Sequence, residues 1–428
     1  MLTRLDLRGV TDDLAAVLPR PPAVGEGPVA AVRAILAEVR EGGDAAVRAC
    51  TERFDKVAID DLEVPHAALE AALQAIPTAL RSALEAAAER IEAYQKATVA
   101  PEVVHERDGI LVRDLRRPVD RAGCYVPGGR ATYPSTVLMT AIPAKVAGVA
   151  EVVLCVPPGP DGTVPDEVLA AAAIAGVDRL FRIGGAQAVA AMAYGTESVP
   201  AVDVIVGPGN VYVAVAKREV AGAGIVGVPS SFAGPSEVVV IADGSSPATY
   251  AAIDVVVQAE HGPDGLAWLV TWDEAVADAV TDEVARIVEA SPRRTEIEST
   301  LLEGGRAVVC DGPEQAMAVA NLIAPEHLEL QVADPDALLP LVRHAGAVFT
   351  GPYAPASVGD YLAGPSHVLP TNGSARFAGA LRVDDFVKHV HVVTLDGPTL
   401  ARVGEHVATI ADAEGLDAHA RSVRLRSA

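Results

Sequence analysis

The sequence predicts an α/β protein built on parallel sheets, and three patterns carry the prediction. From about residue 120 onward, short β-branched apolar runs alternate with Ala-rich runs at helical spacing, as expected of strands covered by helices on both faces. The alternation occurs in two series, so two similar units are expected in tandem. Ahead of them, residues 28–98 carry only helical periodicity, for example over 29–39 and 79–94, and read as scaffold.

In the first series strands are expected at 123–126, 152–156, 179–183, 202–206 and 224–228, with helices between them. In the second, strands at 238–242, 267–271, 307–310 and 347–350 alternate with helices near 248–260, 273–290, 313–323 and 335–344. Beyond 381 one more helix, 399–413, precedes a basic stretch at 420–426. A tail this far from either sheet must pack on something, and a second subunit is a reasonable partner.

Composition narrows the possibilities. The chain has 428 residues, 50% hydrophobic and 4% aromatic, enough for a large core of small aliphatic side chains in two or three domains. A formal charge of -23 argues against a nucleic-acid binder, which needs clustered cations. Cys50, Cys124, Cys155 and Cys310 show no Cys-x-x-Cys pairing and read as reduced core residues. The first residues show no basic stretch followed by a long apolar region, and no apolar run approaches the roughly 18 residues of a membrane span, so a soluble cytoplasmic protein is expected.

Three glycine patterns bear on phosphate binding. A literal Gly-x-Gly-x-x-Gly at Gly222, Gly224 and Gly227 leaves a helix and enters a strand, the reverse of what a dinucleotide fingerprint requires. Gly207-Pro208-Gly209-Asn210 and Gly184-Gly185-Ala186-Gln187 are better placed, each where a strand ends and a helix begins. The third glycine is absent after Gly209, and no acidic residue follows about 20 positions on as the usual NAD reader would. Nucleotide binding and ordinary βα turns are both open readings.

Among the ionisable residues, Glu326-His327 stands where a loop becomes a strand. A carboxylate beside an imidazole can divide proton work, or can be a solvated surface pair. Gln258 and His261 sit three residues apart near the end of a helical run, on one face. With Asp360 and His419 they form a nitrogen and oxygen donor set without sulfur, which suits zinc with positions left for substrate. Alternatively, His261 caps the helix that Gly262-Pro263 ends. His66, His105, His344, His389, His391 and His406 receive no function.

Several blocks together resemble the histidinol dehydrogenase family: Gly128-Gly129 through Met139, Gly184 to Gln187, Gly207 to Asn210, Gly234-Pro-Ser236-Glu237, Gln258-Ala-Glu-His261, Ala324-Pro-Glu-His327-Leu, Gly359-Asp360-Tyr361 and Ala413 to Ser422. Their order and spacing match from roughly residue 25 to the end. The resemblance implies a zinc-containing homodimer that oxidises L-histidinol to L-histidine with two NAD in succession, the last step of histidine biosynthesis. By motif, Gln258, His261, Asp360 and His419 would be the zinc ligands. Tyr125, Gln187 and Asn210 would meet NAD, and Ser236, His367 and Glu414, with His327 and the metal ligands, would meet substrate. His419 and Glu414 would be donated across the dimer. Glu326 would activate water and His327 would act as base in both hydride transfers.

The implied architecture is two incomplete Rossmann-like domains. Its divisions are an N-terminal arm over 1–24, a helical scaffold over 25–119 packing with 237–380, a first, NAD-binding domain over 120–236, a second, zinc and substrate domain over 237–380, and a swapped C-terminal dimerisation arm over 381–428. The sequence departs from the family pattern at Gly262-Pro263, at Ser366 where asparagine is usual, and in the histidine-rich 386–391. A zinc hydrolase, with Glu326 activating water and the glycine turns as plain connectors, and a non-catalytic binder of imidazole compounds are the competing readings.

Overall fold

The computed structural model describes residues 1–10, 13–19, 28–128, 131–229, 236–260 and 265–427. Both expected sheets are present. The first has five strands in the order Glu63–Val64, Arg179–Phe181, Glu151–Cys155, Arg121–Tyr125, Val204–Val206. The last four run parallel, and Glu63–Val64 adds an antiparallel edge. The second sheet is wholly parallel, in the order Thr3–Asp6, Gly305–Val309, Leu266–Thr271, Glu237–Ala242, His327–Gln331, Ala347–Thr350. Their continuous Val, Ile and Leu runs follow from burial on both faces, and all four cysteines are buried and free within this core.

Four expectations change. Residues 224–228 contribute only the bridge Val204↔Gly227, because Gly224 takes a left-handed φ of 68° and Pro229 lacks the amide a ladder needs. The helix expected at 335–344 stops at Pro335–Leu338, followed by the 3-10 turn Leu339–Leu341. The first residues are not a free arm, since Thr3–Asp6 completes an edge of the second sheet. The helical scaffold packs mainly on the first unit, where Val29–Asp55 covers one face through Val32, Val39 and Val47 and His66–Ala75 with Thr78–Thr98 covers the other through Leu69, Leu84 and Ile91, while Arg90 and Tyr94 also meet Gly364 of the 237–380 segment. Their apolar stripes meet the helices of the first sheet, so burial decides the assignment.

A third, antiparallel sheet joins Val387–Thr394, Ile110–Pro118 and Val103–Arg107. Its strands are exposed or half-buried, and Ile110–Pro118 and Val103–Arg107 carry charged residues among their apolar ones. The histidines of the tail strand face a carboxylate here, with His389 Nδ1 2.8 Å from Asp114 Oδ2. From this sheet the chain enters Gly397–Ala413 and Asp417–Ser427, two helices that pack together over Ala408, Ala411 and Ala420. Among the described residues no helix is long and apolar enough to cross a membrane.

Candidate active site

The candidate residues fall into two groups, a cleft on the first sheet and a cluster on the second, and the units are linked where the helix Pro134–Ala147 meets Ser366 and His367. In the first sheet the relevant edge is the carboxyl one, where open α/β sheets hold ligands. A cleft of about 1150 Å³, large enough for a dinucleotide, opens there beside Tyr125, Gln187 and Asn210. Tyr125 ends its strand buried, its hydroxyl accepting from the Gly185 amide at 3.1 Å, and burial raises the phenol above its ordinary range. Asn210 caps Val211–Gly222, its Oδ1 accepting from the amides of Tyr212 (3.0 Å) and Val213 (3.2 Å). Gly207 is required by this turn: its φ is 103°, and a Cβ would lie 2.0 Å from the Tyr125 carbonyl oxygen. Both expected glycine turns therefore open helices onto the cleft.

In the second sheet the site is at the amino edge, opposite to the usual rule, because Glu237 and His327 are the first residues of adjacent parallel strands. Ala324, left-handed at φ 53°, ends the preceding helix Pro313–Ile323 and aims Pro325-Glu326 into that edge. His327 is buried. Its Nδ1 donates to the Glu237 carbonyl at 3.1 Å and its Nε2 faces Asp360 Oδ1 at 3.3 Å. Burial disfavours the charged ring, but the Asp360 hydrogen bond and the Glu326 and Asp360 carboxylates outweigh it and push the imidazole up to about 9. The ring lies against Phe349, with centroids 5.9 Å apart. Gly359 lets Asp360 come this close, since a Cβ there would meet the Phe349 ring at 2.5 Å.

Glu326 is buried beside His327, Oε2 to Nδ1 3.6 Å. It accepts from the Glu237 amide at 3.0 Å, while the Glu237 carboxylate accepts from the amides of Glu326 (3.3 Å) and Asn372 (3.1 Å). Burial, with each carboxylate repelled by an acidic neighbour, pushes Glu326 up to about 7 and Glu237 to about 8. Such a carboxylic acid can exchange a proton near neutrality.

His367 joins the two sheets. Its Nδ1 donates to the Asp360 carbonyl at 2.9 Å, which leaves Nε2 to accept from the Thr136 hydroxyl at 3.1 Å, and Thr136 opens the helix Pro134–Ala147 of the first unit. Ser366 is buried and donates to the Met139 carbonyl at 3.2 Å, so the serine has a structural role on the same seam.

Of the proposed metal donors, Gln258 is buried at the end of Ala248–Ala259, and Asp360 lies in Ala356–Tyr361. Burial first, then the charge of Asp360, raises the Tyr361 phenol beside it. His261 lies outside the described residues. His419 is exposed on the last helix and Glu414 in the turn that precedes it. Among the described residues no three His, Cys, Asp or Glu side chains of one chain form a metal-sized cluster. Ser236 is half-buried, its carbonyl accepting from the Leu266 amide.

Sequence reading missed the layer behind this edge. His327, Glu329 and Gln331 share one face of their strand, and Gln331 Nε2 donates to Asp254 Oδ2 (2.6 Å) and Glu329 Oε2 (3.0 Å). Glu329 Oε1 accepts from the Ala356 amide at 3.1 Å, at the start of the helix carrying Asp360. Asp254 precedes Gln258 by one helical turn. A clue was present: His327, Glu329 and Gln331 put a polar side chain at every second position of a strand whose other positions are leucines.

Burial raises both Asp254 and Glu329, so the native pair keeps protons that the unfolded chain releases. Its contribution to stability is fully present below the ordinary carboxyl range near pH 4 and is lost as pH rises through the raised titration. Glu329→Gln keeps the acceptor for Ala356 and supplies a permanent donor to Asp254. Its unfolding free energy is expected to fall less than the parent's between pH 5 and 9, by about 1–3 kcal/mol, in urea titrations. Parallel pH profiles would contradict the shared proton.

An α/β fold with a dinucleotide-sized cleft and a buried acid–base pair at the amino edge of its second sheet has the parts of an oxidoreductase. The family model described as Histidinol dehydrogenase matches residues 20–427. A histidinol dehydrogenase of Pseudomonas aeruginosa is 52% identical over 397 residues, covering 92% of this chain and 89% of that protein. One from Synechococcus sp. is 49% identical over 400 residues, covering 93% and 92%. The crystal structure of histidinol dehydrogenase from Elizabethkingia anophelis superposes with a TM-score of 0.95 at 32% identity, covering 99% of this chain and 98% of that one. The chain belongs to the histidinol dehydrogenase family, so its activity is that of a biosynthetic oxidoreductase and the hydrolase reading is set aside.

Proposed function

We propose that the protein oxidises L-histidinol through L-histidinaldehyde to L-histidine with two NAD, as a zinc-containing homodimer in the cytoplasm. The observation that carries this reading is the mutual contact of Glu326, His327, Asp360 and His367 at the amino edge of the second sheet, with His367 bonded to Thr136 of the unit that holds the NAD-sized cleft. Tyr125, Gln187 and Asn210 would hold NAD, while Ser236, His367 and the partner subunit's Glu414 would hold substrate.

The donor chemistry fits zinc. Gln258 is buried at the end of Ala248–Ala259, His261 follows it by three positions in the sequence, Asp360 lies beside His327, and His419 stands exposed on a tail that can reach a second subunit. When bound, the ion supplies Lewis acidity and fixes the substrate's amine and imidazole nitrogens. Because Nδ1 of His327 is committed to the Glu237 carbonyl, Nε2 is the position that takes the hydroxyl proton as the carbinol hydride leaves, once the ring has lost its own proton above the raised titration near 9. Glu326 then removes a proton from water as the oxygen attacks the aldehyde carbon. His327 returns its first proton to the former aldehyde oxygen, which completes the hydrate, and then takes a hydroxyl proton of that hydrate as the second hydride leaves. Two hydrides and the corresponding protons account for the four electrons, and the buried seam keeps the reactive aldehyde from escaping.

Support for the dimer comes from the tail, which leaves Val390, Val393, Val407, Ile410, Leu416 and Leu425 exposed. The test is to add histidinol and count reduced cofactor, with two equivalents expected per substrate, then repeat after chelation and after returning zinc. One equivalent would refute the four-electron course. Full turnover by protein shown to be metal-free would refute the zinc site, and binding without any turnover would favour the non-catalytic reading.

A further inference from the structure

The sequence lacks the acidic residue that ordinarily reads NAD about 20 positions beyond the turn Gly207-Pro208-Gly209. The fold delivers one from elsewhere. Asp55 is the last residue of Val29–Asp55, a helix packed on the first sheet, and it lines the same cleft as Tyr125 and Asn210. It reaches Gln187, 132 residues later, whose Nε2 donates to Asp55 Oδ2 at 3.4 Å. Lys56, left-handed at φ 62°, ends the helix, so Asp55 is held at a fixed corner of the cleft wall.

We propose that Asp55 determines the choice of cofactor, its carboxylate accepting from the 2′-hydroxyl of the adenosine ribose and repelling a 2′-phosphate at that position. The inference rests on the reading that this cleft holds NAD. The neighbouring cations are turned to other tasks: Lys56 Nζ donates to the Arg53 carbonyl at 2.7 Å, and the Arg53 guanidinium pairs with Glu38 at 2.9 Å. A 2′-phosphate would therefore meet a carboxylate first. Burial raises the Asp55 carboxyl above its ordinary range, as expected where few donors reach it, and a ribose hydroxyl is a suitable donor. The helix corner thus does what the second strand of a complete dinucleotide fold does elsewhere.

The test compares NAD with NADP in steady-state oxidation of histidinol by the parent, Asp55→Asn and Asp55→Ser, and uses Thr132→Trp, at an exposed cleft residue, to fill the cleft itself. For the Asp55 variants the preference for NAD over NADP in kcat/KM is expected to fall about tenfold or more, mainly through KM, the loss of one charge-assisted hydrogen bond and one repulsion. Asp55→Glu, which keeps the charge, should retain the preference. Competitive inhibition by AMP against adenosine 2′,5′-bisphosphate gives the same comparison without turnover, and melting curves identify any variant that fails to fold. If Thr132→Trp weakens both cofactors while Asp55→Asn and Asp55→Ser leave the ratio unchanged, the role of Asp55 is refuted and the cleft stands. If Thr132→Trp weakens neither, the cleft reading itself fails and takes this inference with it.

Discussion

His327→Asn is expected to lower the turnover of histidinol by about 10²–10⁴-fold, the usual worth of a positioned general base. The loss should appear in both half-reactions, because the same Nε2, oriented by the Nδ1 bond to the Glu237 carbonyl, receives the proton each time. Feeding histidinaldehyde separately from histidinol measures the two steps. Aldehyde oxidation at the parental rate with alcohol oxidation lost would show that the imidazole acts only once. Circular dichroism and the melting temperature should show that the variant folds, since asparagine can still donate toward Glu237.

The second large effect is recovery rather than loss. His327→Asn and His419→Asn should each be nearly inactive alone. If His419 is donated across a two-fold dimer, a mixed dimer of these variants contains one site with both histidines intact and one with neither. After subunit exchange at equal concentrations, about a quarter of the parental activity is expected, since about half of the dimers are mixed and each has one working site. Failure to recover activity, with exchange verified by mass spectrometry, would make His419 an intrachain residue or no ligand at all. The exposure of His419 within its own chain is what makes this experiment informative.

Much of the layout was legible because buried parallel strands and their helices have a strong signature. Glu237–Ala242, Leu266–Thr271 and Pro313–Ile323 lie within a residue or two of where their apolar runs place them. Thr3–Asp6 was not legible: four residues without a long apolar run become a strand only because Gly305–Val309 offers an unpaired edge. The exposed third sheet was missed for a related reason, as Arg113, Asp114, Arg116 and Arg117 alternate charge with charge and carry little apolar period. The scaffold's main partner, the first unit, was not legible because an amphipathic stripe tells that a helix is covered and says nothing about which sheet covers it.

The site divides similarly. Motifs marked Glu326, His327 and Asp360, and the structure brings these three together. Glu237, Asp254 and Glu329 were passed over because a carboxylate in a strand ordinarily marks a solvated face, and only tertiary packing shows these to be buried. Asp55 could not be found by counting from a glycine turn, since its link to Gln187 spans 132 residues.

The edge strand Thr3–Asp6 also sets an order of events during synthesis. It is translated almost first, yet its register partner Arg306 lies about three hundred residues downstream, opposite Thr3. The first sheet and its covering helices can close on the ribosome while this opening segment still waits for its slot. Completion of the second half must therefore be late, and the emerging polypeptide carries an unsatisfied β edge for most of its time on the ribosome, the interval in which chaperone attention is most useful to it.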